Sequence, residues 1–362
     1  MNSTTERRFF YHSTGSRAEN ISLATYYVLI LLFSVPANAM ALWVFCCHPK
    51  RNNNSRVLLT HLAVADMCYV LLLPMRVVYH ASDGHWILGE AACRLSGFLF
   101  YLNLYCSLYL MTCVAVDRLL AVAYPVRALA WRKPAYAKVA CAVIWVTMTV
   151  GMAPVLLSKQ TVEVQLQQQQ QQQQRYSNNV SVVSLEDPQQ QQQQQYNNNV
   201  TVCLQLYLVK TSPRALLSTA AAFSVPLLVL SVSYILILVK LGSVSRKQRQ
   251  SPVHLKAKRM VALTLANFLV AFLPYHVHRF VYIARYGRPD VGDAEATALT
   301  DGNRLTSALT CINGVIDPLM YFFLTNTYQR TLLRMLGRPG NTAQPDPGQS
   351  SSRMEMSSAE IL

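Results

Sequence analysis

Three arginines lie inside apolar stretches of this sequence, where ionisable side chains are costly. Arg76, Arg279 and Arg304 each fall near the end of such a stretch, and no carboxylate occurs at comparable depth. A guanidinium presents a planar fork of donors that suits a carboxylate or a phosphate. The arginines therefore predict a cavity for an anionic small-molecule ligand. Its other candidate lining residues are His276, Tyr79, Tyr101, Tyr105 and Tyr275.

The alternative is that each arginine extends its guanidinium to the lipid headgroups. This alternative is credible for Arg304. It is weaker for Arg279, because Pro274 precedes this arginine on the same stretch and a proline opens a helix and lets it kink.

Two aspartates lie in the middle of apolar stretches. Asp66 and Asp317, together with Asn38, Ser107 and Asn313, can form a polar cluster that binds a small cation such as Na⁺, since oxygen ligands suit hard ions. The alternative is a hydrogen-bonded network without an ion. No other cofactor is predicted, and His276 and His278 cannot chelate a metal together because they point to different faces of a helix.

Asp117 and Arg118 are adjacent near the end of another apolar stretch. Opposite charges at this spacing can pair and hold the arginine inward until the pair is broken, which is the chemistry of a two-state switch. The alternative is an arginine that extends to the membrane surface from the helix end.

The elements that carry these residues are predicted to be membrane helices. Of the 362 residues, 52% are apolar and only 14% are charged, against about a quarter charged in soluble domains. Each apolar stretch has about the 20 residues that cross a bilayer as a helix. The predicted fold is therefore an all-α membrane protein, a seven-helix bundle. Helices one to seven are predicted near residues 23–47, 57–79, 96–122, 136–157, 214–240, 259–284 and 303–324.

The net charge of +15 follows the predicted topology. Lysines and arginines concentrate in the loops after helices one, three and five and in the segment after helix seven, which predicts that these regions are cytosolic. The N-terminus is then extracellular, the location is the plasma membrane, and no nucleic-acid polymer is needed to explain the basic charge. Residues 325–336 form a predicted amphipathic helix, helix eight, which contacts the lipids of the inner leaflet.

The extracellular parts carry the predicted modifications. Cys93 and Cys203 are the two cysteines on the oxidising side, so they are predicted to form a disulfide that holds Leu204–Tyr207 above the cavity. Four Asn-x-Ser/Thr sequons also fall on this side, although one of them lies almost against helix one. These sequons are Asn2, Asn20, Asn179 and Asn199.

Four regions make up the predicted organisation: a tail (1–22), the seven-helix domain (23–324), helix eight (325–336) and a flexible tail (337–362). The long loop 158–213 contains the glutamine tracts Gln167–Gln174 and Gln189–Gln195, and is interpreted as a disordered insertion rather than a ligand lid. The last residues, Glu360–Leu362, either add a strand to a PDZ domain or are an inert end.

Several motifs occur in a fixed order along the helices. They are Asn38, Leu62–Asp66, Cys93, Asp117-Arg118, Trp145, Pro226, Tyr234, Phe272-Leu-Pro274 and Asp317-Pro-Leu-Met-Tyr321. Together they resemble the rhodopsin-like G-protein-coupled receptors over residues 23–336. Finer phrases such as Phe272-Leu-Pro-Tyr-His-Val-His-Arg279 and Leu73-Pro-Met-Arg76-Val-Val-Tyr-His80 resemble the nucleotide and cysteinyl-leukotriene branch of that family.

The resemblance implies coupling to a heterotrimeric G protein, most often of the inhibitory type, and an anionic nucleotide or lipid mediator facing Arg279 and His276. The expected mechanism pivots helix six at Phe272 and Pro274 and frees Arg118, while Tyr234 and Tyr321 turn inward. Receptor kinases and arrestin are expected to act on the serines of the tail. No catalytic constellation occurs, so the chain is not predicted to be an enzyme.

Two alternatives stay open at this point. One is a receptor-like protein that signals constitutively or only with a partner, because Leu119 and Phe272 depart from the family pattern and a second outer disulfide is impossible. The other is a transporter or channel, although transporters tend to show internal repeats, which this sequence lacks.

Overall fold

A computed structural model of the chain shows a bundle of long helices. It describes residues 15–47, 54–124, 128, 131–165, 199–204, 213–243, 252–286, 288, 290–324 and 326–335. The N-terminal end of the bundle is the end at which helix one begins, and the C-terminal end is the one that carries helix eight. The glutamine tracts, Asn2, Asn179 and the tail 337–362 lie outside these ranges.

The predicted seven-helix fold is confirmed. Six segments are each long and apolar enough to span a membrane, and residues 293–323 qualify together with helix eight, which follows at an angle of 103°. Helices one, three, four and five are Arg17–Cys47, Gly89–Ala123, Pro134–Leu157 and Pro213–Gly242. Helix two comprises Asn54–Val70 and Leu73–Ala81, helix six Pro252–Asn267 and Leu273–Arg285, helix seven Asp293–Thr310 and Asn313–Leu324, and helix eight Asn326–Met335.

Helix three forms the centre of the bundle. It is apolar on all sides and buried along most of its length, as expected of a helix surrounded by others. Helix four is peripheral and exposes a stripe of valines, Val139, Val143, Val146 and Val150, at helical spacing. Side chains on helix three can therefore face several neighbouring helices at once.

Prolines interrupt the helices that carry the candidate residues. In helix six a five-residue π-helical turn, Phe268–Phe272, precedes Pro274, and the amide of Leu273 donates to the carbonyl of Phe268. A proline removes one backbone donor and clashes with the preceding turn, so a wider turn relieves the strain. The predicted opening of helix six before Pro274 is thus a π-turn.

Helix one begins at Arg17 rather than near Leu23, so the predicted N-terminal tail is too long. The amide of Ser16 donates to Glu19 Oε2 at 2.9 Å, and the amide of Glu19 donates to Ser16 Oγ at 3.2 Å. This reciprocal pair is a capping box, a strong start signal for a helix. The prediction missed it because the first turn is polar and lies outside the apolar stretch.

Asn20 is a poor glycosylation site, contrary to the prediction. Its side chain is fully buried, and its Oδ1 lies 2.8 Å from His80 Nδ1 on helix two. A glycan on this side-chain amide would have to displace the packing between helices one and two. Asn199 remains a prediction, since its backbone lies in a strand and nothing is described of its side chain.

The prediction that the long loop 158–213 is a disordered insertion is wrong for its two ends, which form a strand pair. Strands β1 (Thr161–Gln165) and β2 (Asn199–Cys203) pair antiparallel, with Thr161 opposite Cys203 and Gln165 opposite Asn199. The sequence hid this hairpin because the two strands are far apart in the chain, on either side of the glutamine-rich segment.

The predicted disulfide between Cys93 and Cys203 is confirmed, and it ties β2 to the start of helix three. A further contact holds the hairpin there, since the amide of Trp86 donates to the carbonyl of Thr201 at 2.8 Å. Within the hairpin, the amide of Leu204 donates to the carbonyl of Gln160 at 2.9 Å and continues the pairing of the two strands. The hairpin therefore crosses the N-terminal end of the bundle beside helix three.

Candidate ligand-binding site

Arg279 is buried on helix six with only 8% of its surface exposed. Its Cζ atom lies 5.7 Å from the ring centroid of Tyr101, and the hydroxyls of Tyr101, Tyr275, Tyr105 and Tyr282 are within electrostatic range. Within the described part of the chain, no carboxylate pairs with Arg279, and its Nη1 has no hydrogen-bond acceptor. A buried charge without a counter-charge is costly, so this guanidinium is prepared to accept an anion.

His276 lies one turn before Arg279 and is held in one orientation. Its Nδ1 lies 2.8 Å from the carbonyl oxygen of Phe272, so Nδ1 carries the proton and donates. The ring stacks on Phe223, with 4.0 Å between centroids, and its Nε2 has no partner among the residues that the structure describes. In the neutral ring Nε2 is an acceptor, which suits a ligand hydroxyl or amide rather than an anion.

Aromatic rings connect the candidate residues of helices three and six. Tyr101 and Tyr105 are one turn apart on helix three, and Tyr105 meets His276 edge to face at 5.9 Å. Phe100 packs edge to face against Tyr101 at 5.1 Å and against Tyr275 at 5.6 Å. The structure therefore brings together Arg279, His276, Tyr101, Tyr105 and Tyr275, as predicted from the sequence.

Arg76 lies on the other side of Phe100. It is fully buried on helix two, its Nη1 donates to the hydroxyl of Tyr27 at 3.0 Å, and its Cζ lies 4.8 Å from the ring centroid of Phe100. Phe100 and Tyr101 thus lie between Arg76 and Arg279 in a chain of contacts, which divides the predicted ligand-binding residues into two candidate subsites.

The second subsite includes residues that sequence reasoning missed. Tyr27 stacks on His80 at 5.6 Å, and Asn20 bonds to the same imidazole. Both lie on the face of helix one that turns toward helix two. Tyr27 lies within the stretch predicted as helix one, whereas the position of Asn20 could have been found only by extending that helix to its capping box.

The expectation that no acid lies near these arginines is wrong for Arg304, which pairs with Glu19. Its guanidinium is buried, and Nη1 lies 3.7 Å from Glu19 Oε2. Tyr79 is also displaced from the predicted cavity lining, since its ring packs against His80 and Trp86 beside the disulfide.

The predicted polar cluster forms around Asp66. Asn313 Nδ2 donates to Asp66 Oδ1 at 3.1 Å, and the Tyr321 hydroxyl donates to Asp66 Oδ2 at 3.4 Å. The carboxyl groups of Asp66 and Asp317 are close enough to interact directly. Two adjacent carboxylates in an apolar interior need a shared proton or a cation, so the donor set fits a small hard cation.

Two asparagines complete this cluster, and the sequence analysis assigned neither to it. Asn267 Nδ2 donates to Asn313 Oδ1 at 2.8 Å and to Asp317 Oδ1 at 2.9 Å, and Asn103 Nδ2 donates to Ser107 Oγ at 3.3 Å. Asn38 is separate, because its amide donates to the carbonyl of Gly314 at 2.8 Å. Helix seven thus contacts helices one, two and six through polar groups.

At the C-terminal end, Asp117 accepts more donors than the predicted pair alone. Arg118 Nη2 lies 3.3 Å from Asp117 Oδ2 and also bonds to Ser55 Oγ. Arg132, which the sequence suggested only as a loop charge, donates to Asp117 from Nε at 2.8 Å. Asn54 and Ser55 each donate to the same carboxylate at 2.7 Å.

The remaining predicted switch residues are buried in the core. Phe272 ends the π-turn next to Pro274 and stacks loosely on Phe268, with 6.4 Å between centroids. Tyr234 is buried on helix five, and Tyr321 contacts Phe45 at 5.6 Å besides its bond to Asp66. Among them, Tyr321 contacts the Asp66 cluster directly.

This architecture is that of a seven-transmembrane receptor, and the rhodopsin-family model of such receptors matches residues 37–321. The chain belongs to that family. It is 42% identical to the uracil nucleotide/cysteinyl leukotriene receptor of Mus musculus over 332 residues, which are 90% of this chain and 86% of the relative. The Homo sapiens receptor of that name is also 42% identical, over 88% of this chain and 77% of its own length.

More distant relatives belong to the same group of receptors. A purinoceptor of Homo sapiens is 29% identical over 335 residues, which are 91% of this chain and 82% of the relative. The family resemblance inferred from the motifs is thus confirmed. These relatives are receptors and not enzymes, and a transporter or channel is not indicated.

Proposed function

We propose that the protein is a plasma-membrane receptor for an extracellular anionic ligand of the uracil nucleotide or cysteinyl leukotriene class, and that Arg279 binds the anionic group. The observation that carries this proposal is the buried guanidinium of Arg279, which contacts aromatic rings and no described carboxylate. The names of the relatives at 42% identity agree with this ligand class.

The surroundings of Arg279 fit the rest of such a ligand. The rings of Tyr101, Tyr105 and Tyr275 offer flat apolar surfaces and hydroxyl donors, which suit a nucleobase or an unsaturated chain. His276 offers an acceptor at Nε2 for a neutral ligand donor. Arg279 therefore supplies the charge, and His276 and the tyrosines select the shape and the uncharged polar groups.

The proposed orientation places the N-terminal end of the bundle outside the cell. The disulfide between Cys93 and Cys203 supports this orientation, because disulfides persist in oxidising compartments. The basic residues at the opposite end, Arg118 and Arg132 among them, support a cytosolic position for that end. Glycans on Asn2, Asn179 and Asn199 remain predictions of this orientation.

Ligand binding would be transmitted through helix six. An anion at Arg279 draws the outer part of helix six inward, and the π-turn next to Pro274 is the natural pivot. The opposite end then moves outward, Arg118 leaves Asp117, and Tyr234 and Tyr321 turn into the opened groove. The groove would accept a helix of a heterotrimeric G protein of the inhibitory type. A Na⁺ ion between Asp66 and Asp317 would stabilise the resting state.

Receptor kinases and arrestin would act on the tail 337–362, and Glu360–Leu362 would bind a PDZ domain. Helix eight would lie on the inner leaflet, where Tyr328 anchors it by packing near Phe45 and Tyr321 at 6.3 Å from each ring. These partners follow from the family resemblance and the sequence of the tail.

Replacement of Arg279 tests the proposed function. G-protein activation is measured in membranes against a uracil nucleotide and a cysteinyl leukotriene, for the natural protein and for Arg279→Ala. Loss of a buried charge-assisted contact, worth about 2–5 kcal/mol, should raise the half-maximal concentration at least about thirtyfold. Surface expression should be unchanged, since removing an unpaired buried charge relieves a cost.

Arg285→Ala is the matched control on the same helix. Arg285 is more than a third exposed and pairs with Glu295 at 2.8 Å, so its removal should leave the response unchanged. If Arg279→Ala responds like the natural protein to every anion, or if basal signalling is high and indifferent to ligand, the anion-receptor proposal is wrong.

A further inference from the structure

The start of helix one covers a second group of basic side chains. Arg76, His80 and Arg304 come from helices two and seven, and both arginines are within electrostatic range of the His80 imidazole. Helix one contributes Tyr27 and Asn20 to this group, and Glu19 reaches Arg304. This basic group lies at the N-terminal end of the bundle, across Phe100 and Tyr101 from Arg279.

Glu19 holds Arg304 from a weak position. The Arg304 side chain is only 4% exposed, whereas that of Glu19 is 54% exposed, and the closest oxygen lies 3.7 Å from Nη1. Glu19 also accepts the Ser16 amide as part of the capping box. A half-exposed carboxylate at this distance contributes little, because water competes for it and the side chain loses entropy when it is held.

The backbone beside Glu19 is fitted to the guanidinium. Gly15 has a φ of +67°, and a Cβ atom at this position would collide with Arg304 Nη1. The arginine thus lies directly under the backbone that leads into helix one. Glu19 can rotate toward solvent while helix one and Gly15 remain in place, because its side chain projects from the exposed face of the first turn.

We propose that the Arg304–Glu19 pair is the resting form of a second anion subsite, in which an acidic group of the ligand replaces Glu19. A ligand carboxylate that bonds both guanidinium nitrogens makes a stronger contact than a single oxygen at 3.7 Å. The displaced Glu19 carboxylate is rehydrated. This inference rests on the proposed function, since it requires an anionic ligand at Arg279.

The arrangement selects the chemical class of the ligand. Phe100 lies against Arg76, and Tyr101 lies against Arg279. In the proposal these rings keep one compact anion from bonding to both Arg279 and Arg304. A ligand with a carboxylate at each end, as in a fatty acid conjugated to a cysteine-containing group, places one acid at Arg279 and the other at Arg304. A nucleotide carries its phosphates on a single arm and uses only one subsite.

Glu19→Gln tests the second subsite. The glutamine keeps the size and the acceptor for the Ser16 amide but removes the charge that competes with the ligand. Binding and G-protein activation are measured with a cysteinyl leukotriene, which has two separated carboxylates, and with uridine 5′-diphosphate. The half-maximal concentration should fall about two- to fivefold for the leukotriene and stay unchanged for the nucleotide. Glu19→Ala should give the same difference if the charge is responsible.

Two further variants give the test its controls. Glu295→Gln removes an acid of similar exposure at the same end of the bundle, and it should leave the half-maximal concentrations of both ligands unchanged. Arg304→Gln should weaken the binding of the leukotriene. In the Arg304→Gln background, Glu19→Gln should have no further effect on this binding, as a double-mutant cycle requires. Surface expression is recorded for every variant.

The subsite proposal is overturned if Glu19→Gln leaves the potency of the leukotriene unchanged or raises the potency of both ligands equally. It is also overturned if Glu19→Gln still raises the potency of the leukotriene in the Arg304→Gln background. Arg279→Ala separates this failure from that of the proposed function. If Arg279→Ala abolishes both responses while Glu19→Gln is neutral, only the second subsite is wrong. If the natural protein binds neither probe, both proposals are wrong.

Discussion

The guanidinium of Arg76 lies over the ring of Phe100, with 4.8 Å between Cζ and the ring centroid. The same ring packs edge to face against Tyr101 and Tyr275. Phe100 therefore has a double role, since it stabilises a buried cation and also supports the tyrosines next to Arg279. A single side chain thus connects Arg76 to the surroundings of Arg279.

Phe100→Leu should weaken both roles. A desolvated cation–π contact is worth about 2 kcal/mol, and its loss should lower the Tm of the detergent-solubilised protein by about 2–8 °C. Ligand potency should fall as well, because Tyr101 and Tyr275 lose their support. Leu95→Ala, at an exposed position of the same helix, is the control and should change neither quantity. An unchanged Tm for Phe100→Leu would mean that the ring contributes no more than its volume.

Glu90 is a further attachment of the hairpin, besides the disulfide and the bond between Trp86 and Thr201. Its carboxylate accepts the amides of Gln160 and Thr161, both at 2.8 Å, as well as the Thr161 hydroxyl and, at 2.6 Å, Arg94 Nε. We expect Glu90→Ala to accelerate hydrogen exchange at the amides of residues 160 and 161. It should also lower the free energy of unfolding by about 1–3 kcal/mol.

The Cys93–Cys203 bond should stay intact in Glu90→Ala, which can be checked by thiol labelling. Glu295→Ala is the control, since its carboxylate is at the surface and pairs with Arg285 alone among the described arginines. If exchange at residues 160 and 161 keeps its natural rate in Glu90→Ala, the disulfide and the Trp86–Thr201 bond position the hairpin without Glu90.

The sequence predicted the parts of the molecule that follow from hydropathy and from charge. Long apolar stretches can satisfy their backbone in lipid only as helices, so the seven helices and the burial of Asp66, Asp117 and Arg279 were predictable. The disulfide followed from the side of the membrane on which its two cysteines fall. Because the helices were predicted from hydropathy, the polar start of helix one was missed. The capping box of Ser16 and Glu19 has no hydropathy signal.

Side-chain partners were less predictable than elements. The sequence does not predict that Phe100 lies between Arg76 and Arg279, because this position depends on how helix three is rotated relative to helices two and six. Asn267 and Arg132 were missed as cluster members because their contacts with the aspartates depend on how their elements pack against helices three and seven. Packing of helices fixes such long-range pairs, and a local pattern does not.

Asn20 provides a test of the packing between helices one and two. Ser22→Ala removes the sequon without altering Asn20, and Ser22 Oγ bonds only to the carbonyl of Ala18 among the described groups. Because Asn20 is buried against His80, no glycan should be present, and Ser22→Ala should leave the electrophoretic mobility unchanged. A shift to higher mobility would show that Asn20 is glycosylated and that the start of helix one is more open.

Asn20→Ala should reduce stability, in contrast to Ser22→Ala. It deletes the buried hydrogen bond between Asn20 Oδ1 and His80 Nδ1, which should lower the free energy of unfolding by about 1–3 kcal/mol. The corresponding loss of Tm should appear for Asn20→Ala alone. Equal Tm values for the two variants would contradict the bond between Asn20 and His80.

Arg132 should restrain the proposed switch at Asp117. Its Nε and Nη2 donate to the two carboxylate oxygens at 2.8 and 3.1 Å, and Nη2 also donates to Ser55 Oγ at 3.0 Å. These bonds fix Asp117 in the position where it holds Arg118. Arg132→Ala should loosen Asp117 and raise ligand-independent G-protein activation about two- to fivefold, as expected for a shift of up to about 1 kcal/mol between two states.

Lys133→Ala is the matched control for Arg132, because the neighbouring lysine is exposed and its replacement removes the same charge from the same loop. Asp117→Asn should raise basal activity further than Arg132→Ala, since it removes the negative charge that pairs with Arg118 directly. If Lys133→Ala raises basal activity as much as Arg132→Ala, the loop charge and not the bond to Asp117 sets the resting state. If Arg132→Ala lowers basal activity, Arg132 contacts the G protein instead of restraining the switch.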